Sequence, residues 1–282
     1  MKLKDKTVLI TGASSGIGRA FALKAASDGA TVILASRSED KLQEVKSEVE
    51  KLGGKGVVVP TDVTNDDSVK NLFLETIKDR RVLDVVFDNA GLGFIGNIQD
   101  LTREQIHAMI DVNLIGMIMV AKYAAEVMVR QKYGHIIMTS SLAGLITIPQ
   151  WSVYVATKWA ITGFADSIRP ELKQHNVNVT TVHPGAVKTD FFAKDKANLD
   201  LDDYGDAVEA SEVAQAVYDA VFTDKRKVLV PKMASNYAML FKFLPGVLQG
   251  TLEKQARDFQ YTDEPKEDES EFSYVKCLSC KD

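Results

Sequence analysis

Val8-Leu-Ile-Thr11-Gly12-Ala-Ser-Ser-Gly16-Ile-Gly18 decides the architecture. An apolar, β-branched run passes through three glycines straight into an amphipathic segment at about 17–28. Glycines at such a turn let backbone approach backbone, and a helix that starts there aims its unpaired N–H groups back at the turn. The alternation continues outward. Residues 31–35 read as a strand and 39–52 as a helix, with further strands at 56–60, 84–88, 135–139, 177–182 and 227–230. These runs are continuously apolar instead of alternating, so both faces of their sheet are covered. Strands separated by helices pair in parallel through crossovers. The expectation is one α/β domain, a doubly wound parallel sheet of about seven strands with helices on both faces, whose ligands bind beyond the carboxyl ends of the strands.

Downstream, Tyr154 and Lys158 lie four residues apart and share a helical face. An ammonium beside a phenol is expected to lower the phenol's ordinary pKa of about 10. Ser141 closes the predicted strand Gly134-His-Ile-Ile-Met-Thr-Ser-Ser141, where its hydroxyl can hold a carbonyl oxygen beside that phenol. The glycine turn comes first, then Asp88-Asn-Ala-Gly91, Asn113, Ser141 and the Tyr-Lys pair. In this order and spacing the motifs resemble the classical short-chain dehydrogenase/reductase family.

The resemblance implies a Rossmann-like fold and a hydride transfer between a nicotinamide nucleotide and a carbonyl or secondary alcohol. It assigns catalysis to Asn113, Ser141, Tyr154 and Lys158. Tyr154 gives its proton to the carbonyl oxygen, Ser141 polarises that oxygen, and Lys158 charges the phenol and binds ribose hydroxyls. Asn113, inside the segment 103–131, disturbs regular helix bonding and holds a relay water. Ser140 stands beside Ser141, but Ser141 has the family's spacing to Tyr154.

The cofactor residues implied are Gly12, Ser14, Ser15, Gly16, Ile17 and Gly18 around the pyrophosphate, where the helix N-terminus favours an anion. Asp62 and Val63 edge the adenine, and Asn89, Ala90 and Gly91 lie beneath the cofactor. Pro184, Gly185, Val187 and Thr189 form the loop over the nicotinamide, and Tyr154 and Lys158 also touch the cofactor. Ser36 and Arg37 stand where a carboxylate would select NAD(H), so NADP(H) is preferred. Asp88 departs from the family, which has asparagine there. A carboxylate only accepts, so this position loses a donor or holds a proton. Leu142, Ile148, Pro149, Trp151, Phe94, Phe191 and Phe192 suggest a hydrophobic substrate. His183 reads as the end of a core strand, with no partner evident in sequence.

Composition bounds the rest. A net charge of -5 without a basic stripe argues against nucleic acid as a partner. The chain opens on a strand with no apolar leader, so a cytoplasmic protein is expected. Neither 106–121, which contains Asp111 and Asn113, nor 237–248, broken by Lys242 and Pro245, reads as a membrane span. The helices predicted at 103–131 and 152–175 are more apolar than one wet face requires. In the family they pair across subunits, which implies a homodimer or homotetramer.

Residues 1–232 are read as the catalytic domain, 233–260 as a helical extension and 261–282 as an acidic, disordered tail. Cys277 and Cys280 fall in that tail, and without a second ligand pair no metal site is expected. Two other classes remain: a dinucleotide-binding sensor without chemistry, and a peripheral membrane or docking protein using 237–248. Sensors usually lack the tyrosine or lysine, and this chain has both.

Overall fold

The computed structural model describes residues 2–78, 82–189, 191 and 207–232, together with positions 241, 250 and 253. Nine strands are present among them: β1 (Thr7–Thr11), β2 (Thr31–Ser36), β3 (Lys55–Pro60), β4 (Val85–Asp88), β5 (Gly134–Thr139), β6 (Val177–Pro184), β7 (Val187–Lys188), β8 (Val208–Glu209) and β9 (Lys227–Val230). Seven form one parallel sheet in the order β3-β2-β1-β4-β5-β6-β9. The helices are α1 (Gly16–Ala26), α2 (Glu39–Lys51), α3 (Asp66–Lys78), α4 (Arg103–Ile110), α5 (Met117–Gln131), α6 (Ser152–Lys173) and α7 (Ala210–Val221). The chain leaves β1 in one direction to β2 and β3, then crosses back to β4. That reversal opens a crevice between β1 and β4 at their carboxyl ends.

Alternation along each strand feeds two cores. Val8, Ile10, Val85 and Phe87 pack with α1, α2 and α7, while Leu9 and Val86 pack with α3, α5 and α6. Both faces are therefore dry, which is why the strands read as unbroken apolar runs. Each helix turns a stripe inward. In α2 it is Leu42, Val45 and Val49, with Glu39 and Asp40 at the first turn and Lys51 at the last, matching the helix dipole. Thr102 and Gln105 cap α4 reciprocally, at 3.2 and 2.9 Å.

Three expectations change. The predicted single helix at 103–131 is interrupted by one π-helical stretch, Asp111–Gly116, centred near Asn113. By length and composition, Arg103–Gln131 also passes for a membrane span, contrary to the sequence reading. Its buried residues Met117, Val120, Ala121, Ala124 and Met128 belong to the core beneath the sheet, which accounts for the apolarity. The paired strands β7 and β8 were not expected, because two residues carry no periodic signal. The proposed boundaries at 232/233 and 260/261, the segment 237–248 apart from Phe241, and Cys277 and Cys280 lie outside the described residues.

Candidate active site

The site is assembled from the carboxyl ends of β1, β4, β5 and β6 and the turns that follow them. β5 stops at Thr139, where the strand read at 135–139 also ends, two residues before the Ser141 expected to close it. Ser141 instead caps a single 3-10 turn, Leu142–Gly144, with its hydroxyl accepting from Ala143 N–H at 3.1 Å. Its neighbour Ser140 is committed elsewhere, donating to Lys158 O at 3.1 Å and meeting Thr162 Oγ1 at 2.9 Å. Ser140 thus fastens the first turns of α6 to the strand end, and Ser141 faces Tyr154.

Tyr154 and Lys158 rise from one face of α6, 6% and 2% exposed. Lys158 Nζ lies 5.6 Å from the Tyr154 ring centroid and donates to Thr139 O at 3.0 Å. The expected lowering of the phenol is overturned. Burial pushes Tyr154 up to about 12, against a hydrogen bond from Ser141. Burial also draws Lys158 down to about 8, with Asp88 opposing. Desolvation outweighs proximity because both groups have left water. Tyr154 is accordingly a phenol fully loaded with its proton at neutral pH.

Asn113 is wholly buried, with its amide closed on Leu92. Nδ2 donates to Leu92 O at 2.7 Å and Oδ1 accepts from Leu92 N–H at 2.8 Å. Nδ2 also reaches Thr157 Oγ1 at 3.4 Å, and that hydroxyl donates to Tyr154 O at 2.7 Å. The π-helical stretch is the local distortion that lets this side chain bridge the β4 loop and α6, the kind found at functional sites.

The glycine turn after β1 is built for close approach. A Cβ on Gly18 would come within 2.2 Å of Gly12 O, and Gly12 itself has φ +66 and faces Ala90 and Asn89. Ser15 is the N-cap of α1 without a side-chain cap bond, followed by Gly16 and Ile17, and Ser14 is half-buried beside it. Thr11 Oγ1 accepts from Asn89 N–H and Ala90 N–H, and Asn89 is gripped on its far side by Thr139 Oγ1 at 3.1 Å. Gly91 packs where a Cβ would lie 3.3 Å from Asn113 Oδ1 and 3.7 Å from Lys158 Nζ. A Cβ on Gly16 would lie 3.3 Å from Thr189 Cγ2, so the two walls of the crevice meet there. Pro184 ends β6, Gly185 N–H donates to Val230 O at 2.7 Å, and Val187 lies in β7.

At the far end, Ser36 closes β2 and Arg37 is exposed beyond it. Asp62 follows β3. Burial works against its charge, but hydrogen bonds from Thr64 and the field of Arg37 hold its carboxyl below the usual range. Val63 packs against Gly116 of the π-helical stretch.

Around Tyr154, the residues Phe94, Ile148, Trp151 and Phe191 pack in a third apolar cluster. Trp151 and Phe191 stand edge-on to the phenol, at 5.6 and 6.0 Å between centroids. Leu142 and Pro149 are half-buried outside that cluster, and Phe192 lies outside the described residues. His183 lies buried near the end of core strand β6, as expected, and its ring has partners not evident in sequence: Ser141 O at Nδ1, 2.9 Å, and Thr181 Oγ1 at Nε2, 2.8 Å.

Fold and residues together define an α/β oxidoreductase. Residues 6–200 match the short chain dehydrogenase family model. An uncharacterized oxidoreductase of Listeria monocytogenes is 37% identical over 192 residues, covering 67% of this chain and 77% of that protein. An alcohol dehydrogenase from the archaeon Thermococcus sibiricus, solved with 5-hydroxy-NADP, is 29% identical, covers 80% of this chain and 96% of its own, and superposes with a TM-score of 0.73. A short-chain dehydrogenase/reductase from Burkholderia phymatum, solved with NAD, covers 94% and 99% at 23% identity, and its TM-score of 0.80 speaks for the fold alone. The chain belongs to the short-chain dehydrogenase/reductase family.

The residues present fit a nicotinamide dinucleotide. The cradle at Gly12, Gly16 and Gly18 admits no side chain without collision or strain, and the N-terminus of α1 opens onto it. Ser36 Oγ is buried with no hydrogen-bond partner among the described residues, at the strand end where a ribose would lie.

Proposed function

We propose that this protein is an NADP(H)-dependent reductase of hydrophobic ketones or aldehydes, with Asn113, Ser141, Tyr154 and Lys158 as its catalytic set. The observation that carries the reading is a buried phenol, hydrogen-bonded to Ser141 and four residues from a buried lysine on the same helical face. The cofactor, when bound, supplies hydride to the carbonyl carbon.

The chain's own residues manage the oxygen. Tyr154 donates its proton to the oxygen as negative charge develops there, and Ser141 gives it a second hydrogen bond. Lys158 stabilises the phenolate left behind, since a cation beside a buried anion is favoured far more than in water. The same side chain is proposed to hold ribose hydroxyls. Asn113 keeps the π-helical stretch, Leu92 and α6 in register, and the relay water assigned to it belongs to the same proposal. Ser14, Ser15 and Ile17, with the three glycines, take the pyrophosphate. Asp62 and Val63 take the adenine, and Asn89, Ala90 and Gly91 the floor. Pro184, Gly185, Val187 and Thr189 cover the nicotinamide side.

The preference for NADP(H) rests on Arg37, an exposed guanidinium beside the Ser36 hydroxyl, which has no partner among the described residues, and suited to a 2′-phosphate. The apolar cluster around Tyr154 supports a hydrophobic substrate. Exposed Ile110 and Ile115 on the first long helix and Trp159 on α6 support a homodimer or homotetramer. A cytoplasmic location belongs to the same reading. The test is a panel of ketones and aldehydes with NADPH oxidation as readout. Turnover of hydrophobic carbonyls is expected, and a pure protein that binds NADPH yet oxidises it with none of them contradicts the assignment.

A further inference from the structure

Asp88 ends β4 with no exposure to solvent. Its Oδ1 accepts from Thr11 Oγ1 at 3.0 Å, and that hydroxyl can only donate to it because both its lone pairs take Asn89 N–H and Ala90 N–H. Its Oδ2 is buried without any hydrogen-bond partner among the described residues. A buried carboxylate with one bare oxygen is costly unless it holds a proton or faces a cation. The cation is close in the fold. Asp88 is in register with Met138 of β5, and the next residue of that strand, Thr139, offers the carbonyl that anchors Lys158 Nζ.

We propose that Asp88 is a positioning residue for Lys158, its buried carboxyl group setting whether that lysine carries charge. This rests on the role given to Lys158 above. β1 presents Thr11, and β5 presents Met138 and Thr139. α6 presents Lys158 and Tyr154, and His183 on β6 lies within the field of Lys158. Lys158 is the charged group whose field reaches Asp88 among the described residues. Burial raises Asp88 and lowers Lys158, and each charge opposes the other's shift, so the two titrations approach one another and belong to the pair. Loss of the carboxyl proton leaves an anion that holds the lysine charged. Replacing the carboxyl by an amide removes that support while keeping the shape.

The test uses the full chain, free of cofactor and substrate, with carbon-13 in lysine Cε and aspartate Cγ. Lys158→Arg and Asp88→Asn identify the two resonances. In the parent, Asp88 Cγ is expected to titrate far above the ordinary carboxylate range, and Lys158 Cε is expected to register that step. In Asp88→Asn, the Lys158 midpoint is expected to fall by about one pH unit, the effect of removing one nearby opposite charge. An Asp88 resonance titrating near its ordinary value, or a Lys158 midpoint unmoved by the substitution, overturns the proposal. Should the variant not fold, the parent's two coupled curves decide alone. No turnover enters the measurement, so its failure is distinct from failure of the reductase assignment.

Discussion

The imidazole of His183 holds the backbone of Ser141, with Nδ1 2.9 Å from its carbonyl oxygen and Nε2 2.8 Å from Thr181 Oγ1. A carbonyl only accepts, so the proton sits on Nδ1 and Nε2 takes the threonine hydroxyl, as befits a neutral ring. His135 is also clasped, with Nδ1 3.2 Å from Val221 O and Nε2 2.8 Å from Thr180 Oγ1, a hydroxyl that donates to Lys225 O at 2.6 Å. Burial lowers both histidines to about 4, against an ordinary 6.5.

These depressed values make a pH signature. Between pH 6.5 and 4 the unfolded chain binds more protons than the folded one. Stability is therefore full above that window and falls as pH falls through it, by roughly 3 kcal/mol per ring at most. Urea denaturation at several pH values should show the His135→Gln/His183→Gln protein losing less stability than the parent on acidification. Equal losses would mean that these rings are not held neutral.

Asn113 closes on both backbone polar groups of Leu92, so Asn113→Ala strands a part-buried donor and a part-buried acceptor. The cost is expected at about 2–4 kcal/mol, with a drop in turnover because the turn bearing Tyr154 loses its tie. Chemical denaturation beside a kinetic assay checks both, and a variant of parental stability would show that the clasp is dispensable.

Arg37 should govern cofactor choice. Parent kcat/KM is expected to be higher with NADPH than with NADH, and Arg37→Asp should reverse the order by repelling a 2′-phosphate and accepting from a 2′-hydroxyl. A parent that prefers NADH removes the basis for this assignment.

Most of the scaffold was legible in the sequence, because seven apolar runs separated by helical patterns admit few arrangements other than a doubly wound sheet. The structure brings Gly12, Asn89, Gly91, Asn113, Ser141, Tyr154 and Lys158 together beyond the carboxyl ends of the strands. What sequence could not show came from burial and long-range pairing. His183 finds its partner 42 residues away. The phenol of Tyr154 moves opposite to the direction local charge implied, because desolvation is invisible in a spacing rule. The oddity of Asp88 was visible as a residue type, but the bare oxygen beside Lys158 was not.

The central claim is that Tyr154 delivers the proton. Tyr154→Phe deletes only the transferable hydrogen and its oxygen, leaving the edge-on contacts with Trp151 and Phe191. Steady-state kinetics on the best carbonyl substrate, with NADPH affinity measured in parallel, should show binding nearly intact and kcat reduced by about 10²–10⁴-fold. A variant that turns over within about threefold of the parent, far short of what a general acid supplies, would contradict the account.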